Sequence, residues 1–79
     1  MTKVDFFEAA REAMIRPTAF VLNGEGDECY VLSGNDNHWS VYYSERGLET
    51  QKRHFASESA TLQHLLETLK NDPSTRLES

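Results

Sequence analysis

Histidine and cysteine, the usual ligands of structural zinc, are present as His38, His54, His64 and the single cysteine, Cys29. Their spacing is not that of a metal site, because the sequence has no CxxC, HxxxH or HExxH motif. We therefore expect no metal and no other cofactor.

Nucleophilic catalysis would need a serine or a cysteine beside a base. His38 and Ser40 alternate onto one face of a predicted strand with Ser44, but no strained nucleophile elbow frames them. Cys29 stands in the middle of a predicted strand, where a buried structural thiol is the usual case. Most carboxylates fall in turns or on the outer faces of helices, where acid–base catalysis lacks the burial it needs. The sequence thus predicts a protein without enzymatic activity.

The length of 79 residues indicates one small domain, which we place at 1–73, with a frayed tail at 74–79. One cysteine permits no internal disulfide, which suits a reducing compartment. Charged residues come too early for a secretory signal, and no apolar run approaches ~18 residues. We expect a soluble cytoplasmic protein that binds no membrane.

The net charge of −5 is concentrated in the middle of the chain. No lysine or arginine lies between Arg16 and Arg46, and the other eight acidic residues balance the eight basic ones. The acidic residues of this interval are Glu25, Asp27, Glu28, Asp36 and Glu45. Nucleic acid is disfavoured as a partner, because phosphates need a basic surface, whereas a basic protein is favoured. The alternative is that these charges only keep the loops soluble.

The hydrophobic pattern predicts two helices that flank four strands. The first helix spans 3–15 and is stopped by Pro17, and the second spans 58–70 behind an N-cap at Ser57. The strands are predicted at 18–23, 28–33, 38–44 and 48–55. Tight turns are predicted at 24–27 and 34–37, and a three-residue loop at 45–47. The fold class is therefore α+β, an N-terminal helix, a four-stranded antiparallel meander and a C-terminal helix (αββββα), with the polar fourth strand at an edge.

Side-chain alternation from these turns divides the strands into two faces. One face is expected to hold Ala19, Val21, Tyr30, Leu32, Trp39, Val41 and Tyr43. The other is expected to hold Phe20, Leu22, Cys29, Val31, Ser40 and Tyr42. Two helices on the first face would leave the second exposed as an apolar patch, which is typical of an interface. The alternative is one helix on each face.

Short sequence signals across residues 38–76 carry a resemblance to a known class. They are the stretch WSVYYSERG from Trp39, then FASE from Phe55, the pair Leu65-Leu66, and DPSTR from Asp72. This pattern resembles small bacterial immunity proteins encoded beside polymorphic toxins of the Rhs and contact-dependent inhibition types. The resemblance implies a cytoplasmic protein that binds a cognate toxin domain and occludes its active site, with no catalytic residue to transfer.

An immunity protein would use an acidic and aromatic surface against the positive cleft of a nuclease or an ADP-ribosyltransferase toxin. Glu25, Asp27, Glu28 and Asp36 would steer association, while Tyr42 and Phe20 would supply buried anchors. Further contacts are expected from His38, on the face that meets the partner, and from Glu45 and Arg46 at a hairpin tip.

A second hypothesis is an interaction module of another kind. It would be a homodimerising regulatory domain or a secretion adaptor, whose exposed sheet face pairs with a second copy. A small-molecule sensor with its ligand on that face is a third hypothesis.

Overall fold

The computed structural model describes residues 1–77. Two helices flank a four-stranded sheet, which confirms the α+β class and the order of the elements. The bounds are α1 Lys3–Glu12, β1 Phe20–Leu22, β2 Cys29–Asn35, β3 His38–Glu45, β4 Leu48–Phe55 and α2 Glu58–Lys70. Single 3₁₀ turns lie at Pro17–Ala19 and Pro73–Thr75.

The strands lie in the order β1-β2-β3-β4, but β1 runs parallel to β2. The prediction of a wholly antiparallel meander was wrong at this pair. The segment 24–27 is not a hairpin turn, because the chain doubles back through residues 23–28 before β2 begins. Asn23 (φ 54°) and Glu28 (φ 55°) bracket this reversal in the left-handed conformation. We refer to residues 23–28 as the return loop.

The other two connections are two-residue hairpins. Asn35 pairs with His38, and Glu45 pairs with Leu48. The loop predicted at 45–47 is therefore one residue shorter, with Arg46 (φ 52°) and Gly47 (φ 81°) both left-handed, as a type I′ turn requires. A bulge at Gln51 (φ 56°) then shifts the β3–β4 register so that Trp39 pairs with Phe55.

Each helix begins at a side-chain cap. Thr2 and Asp5 form a capping box at α1, and the Ser57 hydroxyl accepts the Ala60 N–H of α2, which confirms the predicted cap. The first helix ends at Glu12, earlier than the predicted 15. Met14 (φ 60°) closes a Schellman motif in which the Ile15 N–H donates to the Ala10 carbonyl at 2.9 Å.

Both helices pack on the same face of the sheet. Phe6 of α1 and Leu62 of α2 join Leu32, Trp39 and Val41 in one buried cluster. The parallel pairing puts Phe20 and Leu22 in line with Tyr30 and Leu32, so they share this helix-covered face, and Val21 shares the other. The side chains of β1 therefore lie on the faces opposite to those expected. The Phe20 ring packs edge-to-face on the Phe6 ring, with 5.1 Å between the ring centres. The alternative of one helix on each face is excluded.

The second face is not the open apolar patch that the pattern predicted, because the return loop covers part of it. Val31 is 0% exposed and Cys29 is 3% exposed. A Cβ at Gly26 would collide with Cys29 Sγ and would lie 3.0 Å from Val21 Cγ2. Only glycine therefore lets this loop lie so close to the sheet.

The predicted frayed tail is described as far as Leu77, and this part is hydrogen-bonded to the chain that follows α1. The Arg16 N–H donates to the Thr75 carbonyl at 2.7 Å, and the Leu77 N–H donates to the Met14 carbonyl at 2.6 Å. Thr75 is buried, and its hydroxyl donates to the Leu69 carbonyl at 2.7 Å. Residues 78 and 79 of the predicted tail lie outside the described residues.

Candidate functional site

Two hydrogen bonds hold the return loop against the C-terminal end of β3 and the turn that follows it. The Arg46 N–H donates to Asp27 Oδ1 at 2.7 Å, and Ser44 Oγ donates to the Gly26 carbonyl at 2.7 Å. Ser44 is buried, so its bond is shielded from water. The return loop and the β3–β4 turn therefore form one fixed surface at this end of the sheet.

A depression of about 540 Å³ lies on this surface, beside the ring of Tyr42. Its lining holds four of the residues predicted to bind a partner: Glu25, Asp27, Tyr42 and Arg46. Glu49 of β4 also lines it, and the sequence reasoning missed this residue. The pairing of Ser44 with Glu49 follows from a two-residue turn, so that turn was the signal that could have found it.

The environment of the Tyr42 hydroxyl is acidic. Burial raises the pKa of Tyr42, and the Glu49 and Glu25 carboxylates raise it further, whereas the Lys52 ammonium opposes them. Lys52 Nζ lies 3.0 Å from Glu49 Oε1 and 5.2 Å from the centre of the Tyr42 ring. The Lys52 ammonium therefore lies within cation–π distance of the Tyr42 ring while it is paired with Glu49.

Acidic residues also surround Tyr43 on the helix-covered face of the same strand. Burial raises the pKa of Tyr43, and Glu45 and Glu28 raise it further. Its ring packs edge-on against Tyr30 at 5.0 Å. This end of the sheet is therefore acidic on both faces. We call the five exposed carboxylates around it the acidic lobe: Glu25, Asp27, Glu28, Glu45 and Glu49.

Three predicted contact residues lie elsewhere. Asp36 and His38 stand at the opposite end of β3, where the Asp36 carbonyl accepts the Trp39 Nε1–H at 2.7 Å. Phe20 is partly buried against Phe6 of α1 on the helix-covered face, away from Tyr42. The structure therefore brings Glu25, Asp27, Glu28, Tyr42, Glu45 and Arg46 together and separates Asp36, His38 and Phe20 from them.

The nucleophiles of this region are engaged in structural contacts. Burial raises the pKa of the Cys29 thiol, and Asp27 raises it further, so the thiol form dominates at neutral pH. Ser44 Oγ is committed to Gly26, and Ser40 Oγ donates to the Ser33 carbonyl at 3.4 Å. Within residues 1–77, no three His, Cys, Asp or Glu side chains are grouped to hold a metal ion.

No family model matches this chain, and no curated protein or solved structure matches it either. In the part of the chain that the structure describes, neither helix is long and apolar enough to cross a membrane.

Proposed function

We propose that this protein is a non-catalytic binding protein whose acidic lobe docks on a basic protein. The observation that carries the proposal is the fastening of the return loop to the β3–β4 turn by Asp27 and Ser44. It brings acidic residues from two separate segments, Glu25 and Asp27 of the return loop and Glu49 of β4, around one partly exposed aromatic ring, Tyr42.

The charge of this surface favours a cationic partner. Beside Tyr42, the carboxylates of Glu25, Asp27 and Glu49 outnumber the cations of Arg46 and Lys52, and Lys52 is already paired with Glu49. Glu28 and Glu45 add negative charge at the same end of the sheet, on the side of Tyr43. An excess of one sign speeds association with the opposite sign and disfavours like-charged partners. Because the loop is fixed before binding, little ordering entropy is lost on docking. Tyr42 then supplies the aromatic contact that is typical of interface hot spots.

The partner that fits best is a cognate toxin domain, with the protein acting as its immunity protein in the cytoplasm. The sequence resemblance across 38–76 supports this assignment, and so does the lobe, since clefts that bind phosphates or dinucleotides are positively charged. Occlusion of such a cleft needs no catalytic residue on the inhibitor.

The test is protection of cells that express the cognate toxin. The double variant Glu25→Lys with Glu49→Lys reverses the lobe and leaves the Asp27 bond to Arg46 intact. The matched control, Glu8→Lys with Glu12→Lys, makes the same charge change on the outer face of α1. Protection is expected to be lost in the first and retained in the second. Equal protection by both variants would refute docking through the lobe.

Homodimerisation through the sheet face, as in a regulatory domain or a secretion adaptor, is the less favoured proposal. The return loop covers Cys29 and Val31, which were expected to form the self-pairing surface. A stable dimer of the isolated protein in sedimentation would support homodimerisation, whereas a monomer supports the toxin-binding proposal.

A further inference from the structure

The two edges of the sheet are protected to different degrees. The outer strand β4 carries Glu49, Lys52 and Arg53 and is distorted by the bulge at Gln51, and charges and bulges of this kind discourage strand addition. The other outer strand, β1, lies in a stretch from 17 to 24 that contains no charged residue and no bulge in its pairing. The edge at β1 therefore lacks both devices.

The hydrogen-bonding groups of this edge can be assigned from its pairing with β2. The Asn23 N–H donates to the Leu32 carbonyl at 2.7 Å, and Val21 is paired with Val31. Backbone groups alternate in direction along a strand. The N–H and C=O groups of Phe20 and Leu22 therefore point away from β2, toward the side on which no strand is paired within residues 1–77.

An apolar groove of about 550 Å³ runs beside this edge. Phe7 and Leu77, which are 46% and 48% exposed, form part of its walls with Phe20 and Leu22. Arg11 is the one charged residue in its lining, and within residues 1–77 it has no ion-pair partner. The groove thus combines free backbone groups, apolar walls and a single positive charge.

We propose that this groove binds an extended segment of another protein, which adds to β1 as a fifth strand. The segment would carry apolar side chains at alternate positions and one carboxylate that reaches Arg11. A second copy of this chain is a poorer fit, since a stable interface needs about 20–30 residues on each side and the groove offers eight. This site is distinct from the acidic lobe. The segment bound here would carry an acidic side chain, whereas the proposed partner of the lobe is basic.

The test uses two synthetic peptides, Ac-TVTITVE-NH2 and Ac-EVTITVT-NH2, and counterparts with lysine in place of glutamate. Binding is followed by amide shifts and hydrogen exchange in NMR. At least one glutamate peptide is expected to protect the Phe20 and Leu22 amides and to leave the Val21 amide unchanged. The matching lysine peptide is expected to bind about fivefold more weakly.

The Arg11→Glu variant separates recognition from folding. It is expected to reverse the preference so that the lysine peptide binds more tightly, while Arg53→Glu, the same charge change on β4, leaves the preference as it was. The proposal is overturned if no peptide protects the Phe20 and Leu22 amides at millimolar concentration, or if Arg11→Glu leaves the preference unchanged. It is also overturned if sedimentation shows a dimer that buries β1. None of these outcomes depends on the acidic lobe.

Discussion

Asp27 and Arg46 are 19 positions apart in the sequence, yet the Asp27 carboxylate accepts the Arg46 backbone N–H at 2.7 Å. This bond holds the return loop against the β3–β4 turn and gives the lobe its shape. Asp27 therefore has a structural role besides its charge. Its reversal would disturb the loop, whereas Glu25 and Glu49 can be reversed without breaking this bond.

Gly34 is expected to tolerate no side chain. It pairs with Trp39, and a Cβ built on it would collide with the His38 carbonyl and lie 2.7 Å from Trp39 Cα. Gly34→Ala should lower the free energy of unfolding by about 1–3 kcal/mol, because backbone atoms must move. The measurement is urea unfolding followed by Trp39 fluorescence. Gly47→Ala, which meets no atom within 4 Å but keeps a φ of 81°, should lose only about 1 kcal/mol. A smaller loss at position 34 than at 47 would contradict the contact.

Gln51 is expected to be a site where glycine stabilises the fold. Its φ of 56° is left-handed, a conformation that costs an L-residue about 1–2 kcal/mol. Gln51→Gly should raise the free energy of unfolding by about 0.5–1 kcal/mol, after the larger entropy of the unfolded chain is subtracted. The control is Gln63→Gly on the exposed face of α2, which should lower it by about 1 kcal/mol. If both variants lose stability equally, the bulge conformation is wrong.

The order of the elements and the N-cap of α2 could be predicted, because each depends on local signals. Ser57 caps α2 through its own side chain, and Pro17 and Pro73 each stand beyond a helix end. The direction of β1 could not, since glycines at 24 and 26 are typical of a hairpin. Here they serve close packing on Val21 and Cys29 instead, and Asn23 and Glu28 take the left-handed conformations.

Four of the five carboxylates of the lobe, all except Glu49, were visible in the sequence as members of an interval without basic residues. Glu25, Asp27 and Glu28 were identified by charge alone, but their approach to Tyr42 depends on the Ser44 and Asp27 bonds, which are long-range. Glu49 was missed because its position beside Tyr42 requires the register of β3 with β4. Phe20 was misplaced because the predicted turn pairs Val21 with Tyr30, whereas Phe20 pairs with Tyr30 in the structure, and a one-residue change of register moves every side chain to the other face.

Tyr30 is expected to be the last tyrosine to ionise. Burial raises its pKa to about 12, and its hydrogen bond to Asp72 at 3.0 Å adds to the shift. The folded pKa lies above the ordinary tyrosine value of 10.0, so the stabilisation is complete below about pH 10 and is lost as the pH rises through about 12. Absorbance titration at alkaline pH should show a transition near 12 that Tyr30→Phe removes. Its persistence in that variant would assign the shift to another tyrosine.

Asp72 contributes stability that is lost at acid pH, whereas the contribution of Tyr30 is lost at alkaline pH. The Ser74 hydroxyl at 2.7 Å is the main cause that lowers the pKa of Asp72, and the Tyr30 hydroxyl also lowers it. Its stabilisation is therefore present above the ordinary aspartate pKa of 3.8 and is lost as the pH falls through the lower pKa of the folded state. Asp72→Asn should reduce the acid dependence of stability in that range, measured by urea unfolding at several pH values. An unchanged acid dependence would contradict this role.

Cys29 is expected to be unreactive in the folded protein. The thiol is 3% exposed, and burial raises its pKa, so little thiolate meets a reagent such as Ellman's. Reaction should be at least about tenfold slower in the native protein than in urea. The Ala60→Cys variant places a second thiol on the exposed face of α2 as an internal reference, which should react at once. Equally fast reaction of both thiols would show that the return loop does not cover the sheet.

The most direct measurement of the central proposal is the association rate constant with the cognate toxin domain as a function of salt. The wild-type rate should fall as salt rises, because the lobe steers a cationic partner. Glu25→Lys with Glu49→Lys should slow association by about tenfold or more at low salt, whereas Glu8→Lys with Glu12→Lys should stay within about twofold of the wild type. A wild-type rate that is insensitive to salt, or two variants that are slowed equally, would contradict docking through the acidic lobe.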